Sequence, residues 1–356
     1  MNFQVISTEN EFRKLAKKWN KLSQKIKYTT PYQSWEWNYL YWRQFGKNKK
    51  LQILVASKEG ILVGIFPLWI RRQNNITIAE PIGTRGSDYM HFIVISNFKM
   101  EAICLFTAWF VASEIDVLNL EDVPVNVQYL STLIEYAEKN FIFVDFNKKY
   151  CPCYEIRLPS NWSKYLNTLS KRRKKDTLYY QRYVDRYFEK IQVGSGNIGE
   201  IGEHFKLHQK IRNIRGDKGS YANKQVISFM REFVLSMNDA NKLDLQFLAL
   251  DGKPAASILA VNHNRVKYLI TIGHDPDFAK FRPGTVLYSY HVQSSIEEGS
   301  HAYDLSRGPD PYKIAMGAVE KYNARLVISK YQNIGKQYLG YQTNYWKNRG
   351  YEPTDW

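Results

Sequence analysis

The sequence lacks a long apolar run, and its amino terminus lacks the apolar core of an export signal. The longest apolar run, ILVGIFPLWI at residues 61–70, is interrupted by Gly64 and Pro67. It is shorter than the roughly 18 residues that a membrane-spanning helix needs. The first 22 residues mix acidic and basic side chains. We therefore expect no transmembrane segment and a cytoplasmic protein, with peripheral contact to an anionic membrane as the alternative location.

Cysteine is scarce, which excludes a disulfide framework. The chain has three cysteines, Cys104, Cys151 and Cys153, and the Cys-Pro-Cys pair has no second pair with which to hold zinc. His204 and His208 share a helical face in HFKLH, but the glutamate of a metalloprotease motif is missing between them. The sequence predicts structural thiols, a packing or surface role for both histidines, and no metal.

Acidic residues are fewer than basic residues. The chain has 34 acidic and 50 basic residues and a formal net charge of +16 at pH 7. Such an excess favours binding to polyanions, which include RNA, anionic membrane surfaces and phosphate-bearing substrates or cofactors. The charge by itself does not choose among these partners.

The length of 356 residues predicts two domains, because a single hydrophobic core stops growing at roughly 250 to 300 residues. Each half alternates apolar runs typical of strands with amphipathic stretches typical of helices. We expect a mixed α/β (α+β) fold with two structurally similar domains, residues 1–150 and 151–356, each a mostly antiparallel sheet flanked by helices.

Residues that typically begin or end helices occur at several places in the sequence. Thr8 with Glu11 three residues later is a capping box, and Ser34 and Gly46 bracket a second helix. Pro283 and Gly284 introduce a later helix. A helix N-terminus binds phosphate through unpaired N–H groups, so Arg282 and Gly284 are candidate phosphate contacts. The alternative is that Pro-Gly only starts the helix.

The run LSKRRKKD contains five consecutive bases. Arg172 and Arg173 are its candidate ligand-binding residues, because the planar guanidinium suits phosphate and carboxylate better than an ammonium does. The alternative is a solvated helix face.

Two further stretches carry carboxylates beside predicted strands. Asp88 follows Gly-Ser just before the strand HFIV, where it is a candidate base or, alternatively, a turn residue. In DLSRGPDPYKIAMG, Asp304 ends a strand, and Asp310, Tyr312 and Lys313 follow in the next loop and helix. Loops held by rigid strands often carry binding residues. A salt-bridged structural turn is the alternative for this run.

Several of these segments resemble one family almost from end to end. They are PYQSWEWNYLYWRQF, LVGIFPLW, GSDYMHFIV, LSKRRKKD, DGKPAAS, IGHDPDFAKFRPGTVLYSY and AYDLSRGPDPYK. The chain resembles the acetyltransferase-like proteins of bacterial polysaccharide (cellulose) production, which are similar to GNAT acyltransferases and to Fem-type peptidyltransferases. The resemblance implies two tandem GNAT-like domains, with the acyl donor in the second.

The resemblance also implies roles for individual residues. The pyrophosphate of acyl-CoA would contact Arg282, Gly284 and Thr285, although this loop lacks the usual Arg/Gln-x-x-Gly-x-Gly/Ala form. Asp304 or Asp88 would act as the base, with Lys313 as a further catalytic residue. Substrate-binding roles are expected for the remaining candidates, which are Arg172, Arg173, Asp275, Arg307, Asp310 and Tyr312. On this reading Asp304→Asn and Lys313→Ala abolish transfer and leave the melting temperature nearly unchanged.

The function implied is acyl transfer from acyl-CoA to a sugar, nucleotide sugar or amine in polysaccharide or cell-envelope synthesis. One alternative is a Fem-type transferase that takes its acyl group from charged tRNA. Another is a non-catalytic scaffold of a polysaccharide-synthesising machine.

Overall fold

The computed structural model describes residues 1–214, 216 and 218–347, and it divides the chain into two compact units. The first unit comprises Met1–Pro152 together with the carboxyl-terminal segment from Tyr322 onward, and the second comprises Cys153–Lys321. The sequence prediction placed the boundary after residue 150 and assigned the carboxyl-terminal segment to the second domain. The structure assigns that segment to the first unit, because its strand completes the sheet there.

The elements of the amino-terminal half alternate strands and helices. They are β1 (Asn2–Ile6), α1 (Glu9–Lys14), α2 (Ala16–Ser23), α3 (Trp35–Phe45), β2 (Lys50–Lys58), β3 (Ile61–Gln73), β4 (Ile76–Pro81), β5 (Ile93–Val94), α4 (Lys99–Ala112), β6 (Val117–Pro124), α5 (Leu130–Asn140) and β7 (Phe143–Arg157). The predicted caps are present. The Thr8 hydroxyl accepts from the main-chain N–H of Glu11, and Ser34 and Gly46 cap the two ends of α3.

The remaining elements follow the same plan. They are α6 (Trp162–Thr168), α7 (Lys171–Tyr187), β8 (Ile191–Ser195), α8 (Ile201–Ile214), α9 (Lys224–Asp239), β9 (Leu243–Leu250), β10 (Lys253–His263), β11 (Val266–His274), α10 (Pro283–Glu297), β12 (Ala302–Arg307), α11 (Pro311–Ala315), β13 (Val319–Ser329) and α12 (Gln332–Lys347). The helix expected after Pro283 and Gly284 is α10.

The sheet of the first unit has the order β1-β2-β3-β4-β6-β13. Its neighbours are antiparallel except for β4 and β6, which pair in parallel. Apolar side chains cover both faces. Phe66, Phe92 and Phe110 belong to the core cluster on one side, and Phe12 and Trp19 belong to the cluster on the other. Ala324, Leu326 and Ile328 of β13 are fully buried in the first of these clusters.

The sheet of the second unit has the order β7-β12-β11-β10-β9-β8, in which β7 takes part through its last residues, 153–157, and β11 and β12 form its parallel pair. This pairing covers only three positions, the last of which joins Tyr268 to Asp304. Beyond it β11 continues to His274 and β12 to Arg307 without further pairing to each other. Two parallel strands that separate in this way open a gap at their carboxyl ends. The predicted mixed α/β fold with mostly antiparallel sheets and flanking helices is confirmed.

Two expectations from composition can be compared with the structure. No helix among the residues that the structure describes is long and apolar enough to cross a membrane. Cys104, Cys151 and Cys153 form no disulfide, and the last two are buried in β7.

Candidate functional site

A cleft of about 540 Å³ lies in the second unit, beyond the point where β11 and β12 separate. It is lined by side chains from α7, α8, β11, α10 and the segment after β12. These are Arg173, His208, Ile211, Arg212, Ile272, His274, Arg282, Gly284, Thr285, Tyr288, Asp310, Pro311, Tyr312 and Met316.

The N-terminus of α10 forms one wall of this cleft. Arg282 is its N-cap and has a left-handed backbone conformation, with φ of 49°. The turn that this conformation makes leads directly into Pro283 and the first turn of the helix. A Cβ at Gly284 would lie 3.3 Å from Nδ1 of His274, so the glycine allows the helix end to approach β11 closely. The positive end of the helix dipole therefore faces the cleft, which favours an anionic ligand.

Three arginines strengthen this preference for anions. Arg173 of α7, Arg212 of α8 and Arg282 all line the cleft. Burial lowers the pKa of the Arg173 guanidinium, and repulsion from Arg282 lowers it further, against the opposing effects of Tyr165 and Asp176. The Arg282 guanidinium stacks on the Tyr180 ring, 4.8 Å from its centroid. A bound phosphate would relieve the repulsion between the two guanidinium groups.

The inner part of the cleft is less polar. Ile272 and Met316 line it together with Tyr288, whose side chain is buried. The neighbouring Tyr165 hydroxyl donates to the carbonyl oxygen of Met316 at 3.0 Å. The cleft therefore combines a cationic part with a part that suits an uncharged group.

The structure brings six of the sequence-predicted site residues to the cleft. They are Arg173, Arg282, Gly284, Thr285, Asp310 and Tyr312. Their roles in binding remain predictions. The Asp310 side chain is about half exposed, so its carboxylate is accessible to accept a proton. The same carboxylate contacts Nζ of Lys313 at 3.3 Å.

Asp304 and Lys313, the predicted catalytic pair, lie outside the lining of the cleft. Both are buried, with exposures of 3% each. The Asp304 carboxylate accepts the main-chain N–H of Ser306 at 2.8 Å, and Lys313 Nζ donates to the carbonyl oxygens of Arg307 and Gly308 at 2.6 and 3.0 Å. Neither residue is among those that line the cleft, and their catalytic roles remain predictions.

Four other predicted site residues also lie outside the lining of the cleft, namely Asp88, Arg172, Asp275 and Arg307. Asp275 caps the short 3₁₀ turn before α10 and pairs with Lys210 at 2.5 Å. Burial would raise the pKa of Asp275, but the hydrogen bonds from Lys210 and from the main-chain N–H of Asp277, together with the nearby positive charge, outweigh burial and lower the pKa. Arg172 is exposed on α7, and Arg307 is half-buried at the end of β12.

Asp88 belongs to the first unit, where its carboxylate accepts the Tyr32 hydroxyl at 2.6 Å. Its carbonyl oxygen also accepts from the Asn323 side chain at 2.7 Å. These contacts tie a loop of the first unit to β13. Both the base and the turn-residue interpretations of Asp88 remain predictions.

Sequence reasoning missed several lining residues, namely His208, Ile211, Arg212, Ile272, His274, Tyr288, Pro311 and Met316. The spacing of residues along two helices could have indicated some of these lining residues. Arg212 follows His208 by four residues on α8, and Tyr288 follows Gly284 by four residues on α10, so each pair shares a helix face. His208 is buried beside the Tyr221 ring, in agreement with its predicted packing role.

Comparisons with known proteins bear on both the domain and the fold. Residues 170–314 match the acetyltransferase (GNAT) domain family. No curated protein matched the sequence significantly. FemX has a similar solved structure, with 11% identity, a TM-score of 0.67 and coverage of 95% of this chain and 99% of that one.

Two further solved structures are similar over nearly the whole chain. The C-terminal domain of a lysylphosphatidylglycerol synthetase candidate from Agrobacterium fabrum has 9% identity, a TM-score of 0.58 and coverage of 93% and 95%. A Bacteroides thetaiotaomicron protein of unknown function has 11% identity, a TM-score of 0.55 and coverage of 93% and 100%. At such identities the likeness concerns the fold. The chain therefore contains a segment, residues 170–314, that matches a GNAT acetyltransferase domain, within a fold similar to that of FemX.

Proposed function

We propose that the protein is an acyltransferase that binds acyl-CoA, such as acetyl-CoA, in the cleft of the second unit. The observation that carries this proposal is that Arg173, Arg212 and Arg282 line one cleft together with the first turn of α10, beyond the point where β11 and β12 separate. This arrangement suits a ligand with phosphates at one end and an uncharged group at the other. Acyl-CoA has that distribution of charge, and the GNAT domain match supports the same donor.

The chemistry proposed is direct transfer. An amine or hydroxyl of the acceptor attacks the thioester carbonyl carbon, the C–S bond breaks, and the CoA thiolate leaves. The Asp310 carboxylate is the proposed proton acceptor, because it lines the cleft and remains accessible. General-base catalysis by a carboxylate within hydrogen-bonding reach of the nucleophile is an established way to promote this step. The proton then passes to the leaving thiolate.

The acceptor is proposed to be a sugar, a nucleotide sugar or an amine in polysaccharide or cell-envelope synthesis. This part of the proposal rests on the sequence resemblance to proteins of bacterial polysaccharide production. Tyr312, which is 38% exposed and lines the cleft, offers a hydroxyl and a ring to such an acceptor.

A Fem-type transfer from aminoacyl-tRNA is the second candidate function. The exposed bases Lys171, Arg172 and Lys175 lie on α7 beside Arg173, so the cationic surface continues away from the cleft. Such a surface would bind an RNA phosphate backbone. A scaffold without catalysis, in peripheral contact with an anionic membrane, is the third candidate.

Binding of donors to the purified protein separates these candidates. We expect acetyl-CoA and CoA to raise the melting temperature, because a ligand that binds only the native state stabilises it. Arg282→Ala and Arg173→Ala should each weaken CoA binding at least tenfold in calorimetric titration. A charge-assisted hydrogen bond is worth about 1.5–3 kcal/mol, and 1.4 kcal/mol corresponds to a factor of ten.

Arg186→Ala is the matched control. It removes an exposed guanidinium from the same helix as Arg173, about 20 Å further along at 1.5 Å per residue. CoA affinity should be the same in this variant as in the wild type. A shift with tRNA and none with CoA would favour the second candidate function, and no shift with either would favour the scaffold.

A further inference from the structure

A second cavity, of about 640 Å³, lies in the first unit, at the end of the sheet where β3 finishes and β4 begins. Its volume is within the range of about 300–1,000 Å³ that small-molecule sites occupy. The cavity lies at the amino ends of the parallel strands β4 and β6, whereas the cleft of the second unit lies at the carboxyl ends of β11 and β12. It is therefore not the counterpart of that cleft.

One face of the sheet forms the floor of this cavity. Side chains two residues apart on a strand point to the same face, and so do those of directly paired residues. Lys50 of β2 pairs with Ile70 of β3, and Arg72 of β3 pairs with Thr77 of β4. Ile70 packs against the core cluster that α4 covers. The side chains of Lys50, Gln52 and Arg72 therefore point to the side of the sheet on which α4 lies.

The last turn of α4 and the residues after it form the wall. Trp109 is half-buried and packs against the same core cluster as Ile70. Glu114, just beyond the helix, is exposed, and Ile115 is buried. All four residues line the cavity. The cavity thus combines apolar surface with exposed charged groups.

Most polar side chains of this lining are not used by the protein itself. Four of them form no hydrogen bond or ion pair with any other residue that the structure describes, namely Lys50, Gln52, Trp109 and Glu114. The hydrogen bond from Arg72 Nε to the Thr77 hydroxyl is long, at 3.5 Å. Two cations, an amide, an indole N–H and a carboxylate therefore line one space and are available to a ligand.

This combination of groups fits a carbohydrate that carries a negative charge. A sugar ring has C–H groups on its face, which pack against an aromatic ring such as that of Trp109. Its hydroxyls need both donors and acceptors, and the amide of Gln52 supplies both. Lys50 and Arg72 supply positive charges that match a carboxylate or a phosphate. A purely apolar ligand would leave all of these polar groups without partners.

We propose that the first unit binds an anionic carbohydrate, a sugar with a carboxylate or a phosphate, in this cavity. Lys50 and Arg72 bind the charged group, Gln52 and Glu114 bind hydroxyls, and Trp109 packs against the ring. This binding goes beyond the proposed function and does not depend on acyl transfer, because none of its residues belongs to the donor cleft.

The experiment titrates the purified protein, with ¹⁵N-labelled tryptophan, with D-glucuronate, glucose 6-phosphate, inorganic phosphate and D-glucose. The indole N–H resonance of Trp109, assigned by its loss in Trp109→Phe, reports on the cavity. We expect at least one charged sugar to shift this resonance and to bind at least tenfold more tightly than glucose, because charge-assisted hydrogen bonds are about twice as strong as neutral ones. The sugar that does so identifies the anion as carboxylate or phosphate.

Variants at exposed positions locate the charge recognition. Lys50→Gln and Arg72→Gln should each weaken binding of the charged sugar at least tenfold and leave the melting temperature without ligand unchanged, because both side chains are exposed. Lys58→Gln is the matched control. It removes an exposed cation from the other end of β2, about 26 Å from Lys50 at 3.3 Å per residue, and should bind like the wild type.

Several outcomes would overturn the inference. One is a Trp109 resonance that none of the sugars shifts, and another is equal affinity for glucose and for both charged sugars. Equal weakening by Lys58→Gln would show attraction to the net charge of the protein instead of a site. Inorganic phosphate that binds as tightly as glucose 6-phosphate would show that the sugar ring is not recognised. Titration with CoA tests the donor cleft separately, and its failure would leave the carbohydrate result standing.

Discussion

At the scale of single residues, Lys313 is a potentially reactive side chain that bonds to the segment just before it in the chain. Its ammonium contacts the carbonyl oxygens of Arg307 and Gly308 and the carboxylate of Asp310. Only 3% of the residue is exposed. The Asp310 side chain, which lines the cleft, is thus paired with a buried cation, and we expect Lys313 to position it.

We expect Lys313→Met to lower the free energy of unfolding by about 1–3 kcal/mol, because it leaves buried carbonyl oxygens without their donor. Urea denaturation measures this change. Lys253→Met, at an exposed position at the start of β10, is the control and should be neutral. Loss of acyl transfer at unchanged stability would instead support the catalytic role that the sequence predicted.

At the scale of elements, the packing of α8 on β11 sets one side of the cleft. A Cβ at Gly273 would lie 2.4 Å from the main-chain nitrogen of His208. His204 on the same helix bonds to the Ser257 and Thr271 hydroxyls at 2.9 and 2.7 Å. Glycine at position 273 therefore lets α8 lie close to β11, and the hydrogen bonds of His204 hold the helix there. This packing places His208 and Arg212 at the cleft.

Substitution Gly273→Ala should force the two backbones apart and destabilise the protein by about 1–3 kcal/mol, the usual cost of overpacking. It should also weaken CoA binding, because Arg212 moves with α8. Unfolding in urea and calorimetric titration measure the two effects. Gly194→Ala is the control, since nothing lies within 4 Å of its Cβ position on β8. Equal stability of the two variants would show that α8 does not need this close approach.

At the scale of the whole molecule, each unit contains a buried histidine that is hard to protonate. Burial lowers the pKa of His91 in the first unit and of His204 in the second to about 3. In the unfolded chain a histidine binds its proton near pH 6.5. Between these values the unfolded state binds more protons, so the stability of each unit falls as the pH decreases from about 6.5 towards 3.

We expect His91→Phe to reduce the slope of unfolding free energy against pH by about 1.4 kcal/mol per pH unit between pH 6 and pH 4. Tryptophan fluorescence in urea is a suitable readout, because the buried Trp19, Trp37 and Trp69 all lie in the first unit. Parallel curves for the wild type and the variant would show that His91 is protonated in the folded protein.

The sequence by itself indicated several helix ends, the fold class and the cationic character of the chain. Capping at Thr8 and Ser34 and the start of α10 at Pro283 depend on residues close together in the chain. Such signals are local, so periodicity and turn residues reveal them. Half of the predicted site residues line the cleft, because several of its walls are helix starts and strand ends, which local patterns mark.

Only the tertiary structure decided which side chains face the ligand space. Arg173, Arg212, Arg282 and Asp310 come from four separate elements, and no local pattern shows that they meet. Asp304 and Lys313 are candidate catalytic residues in the sequence, but both are buried. Asp304 accepts the main-chain N–H of Ser306 within β12, and Lys313 donates to the carbonyl oxygen of Arg307. The assignment of β13 to the first unit likewise depends on long-range pairing with β6, whose partner residues lie about 200 positions earlier in the chain.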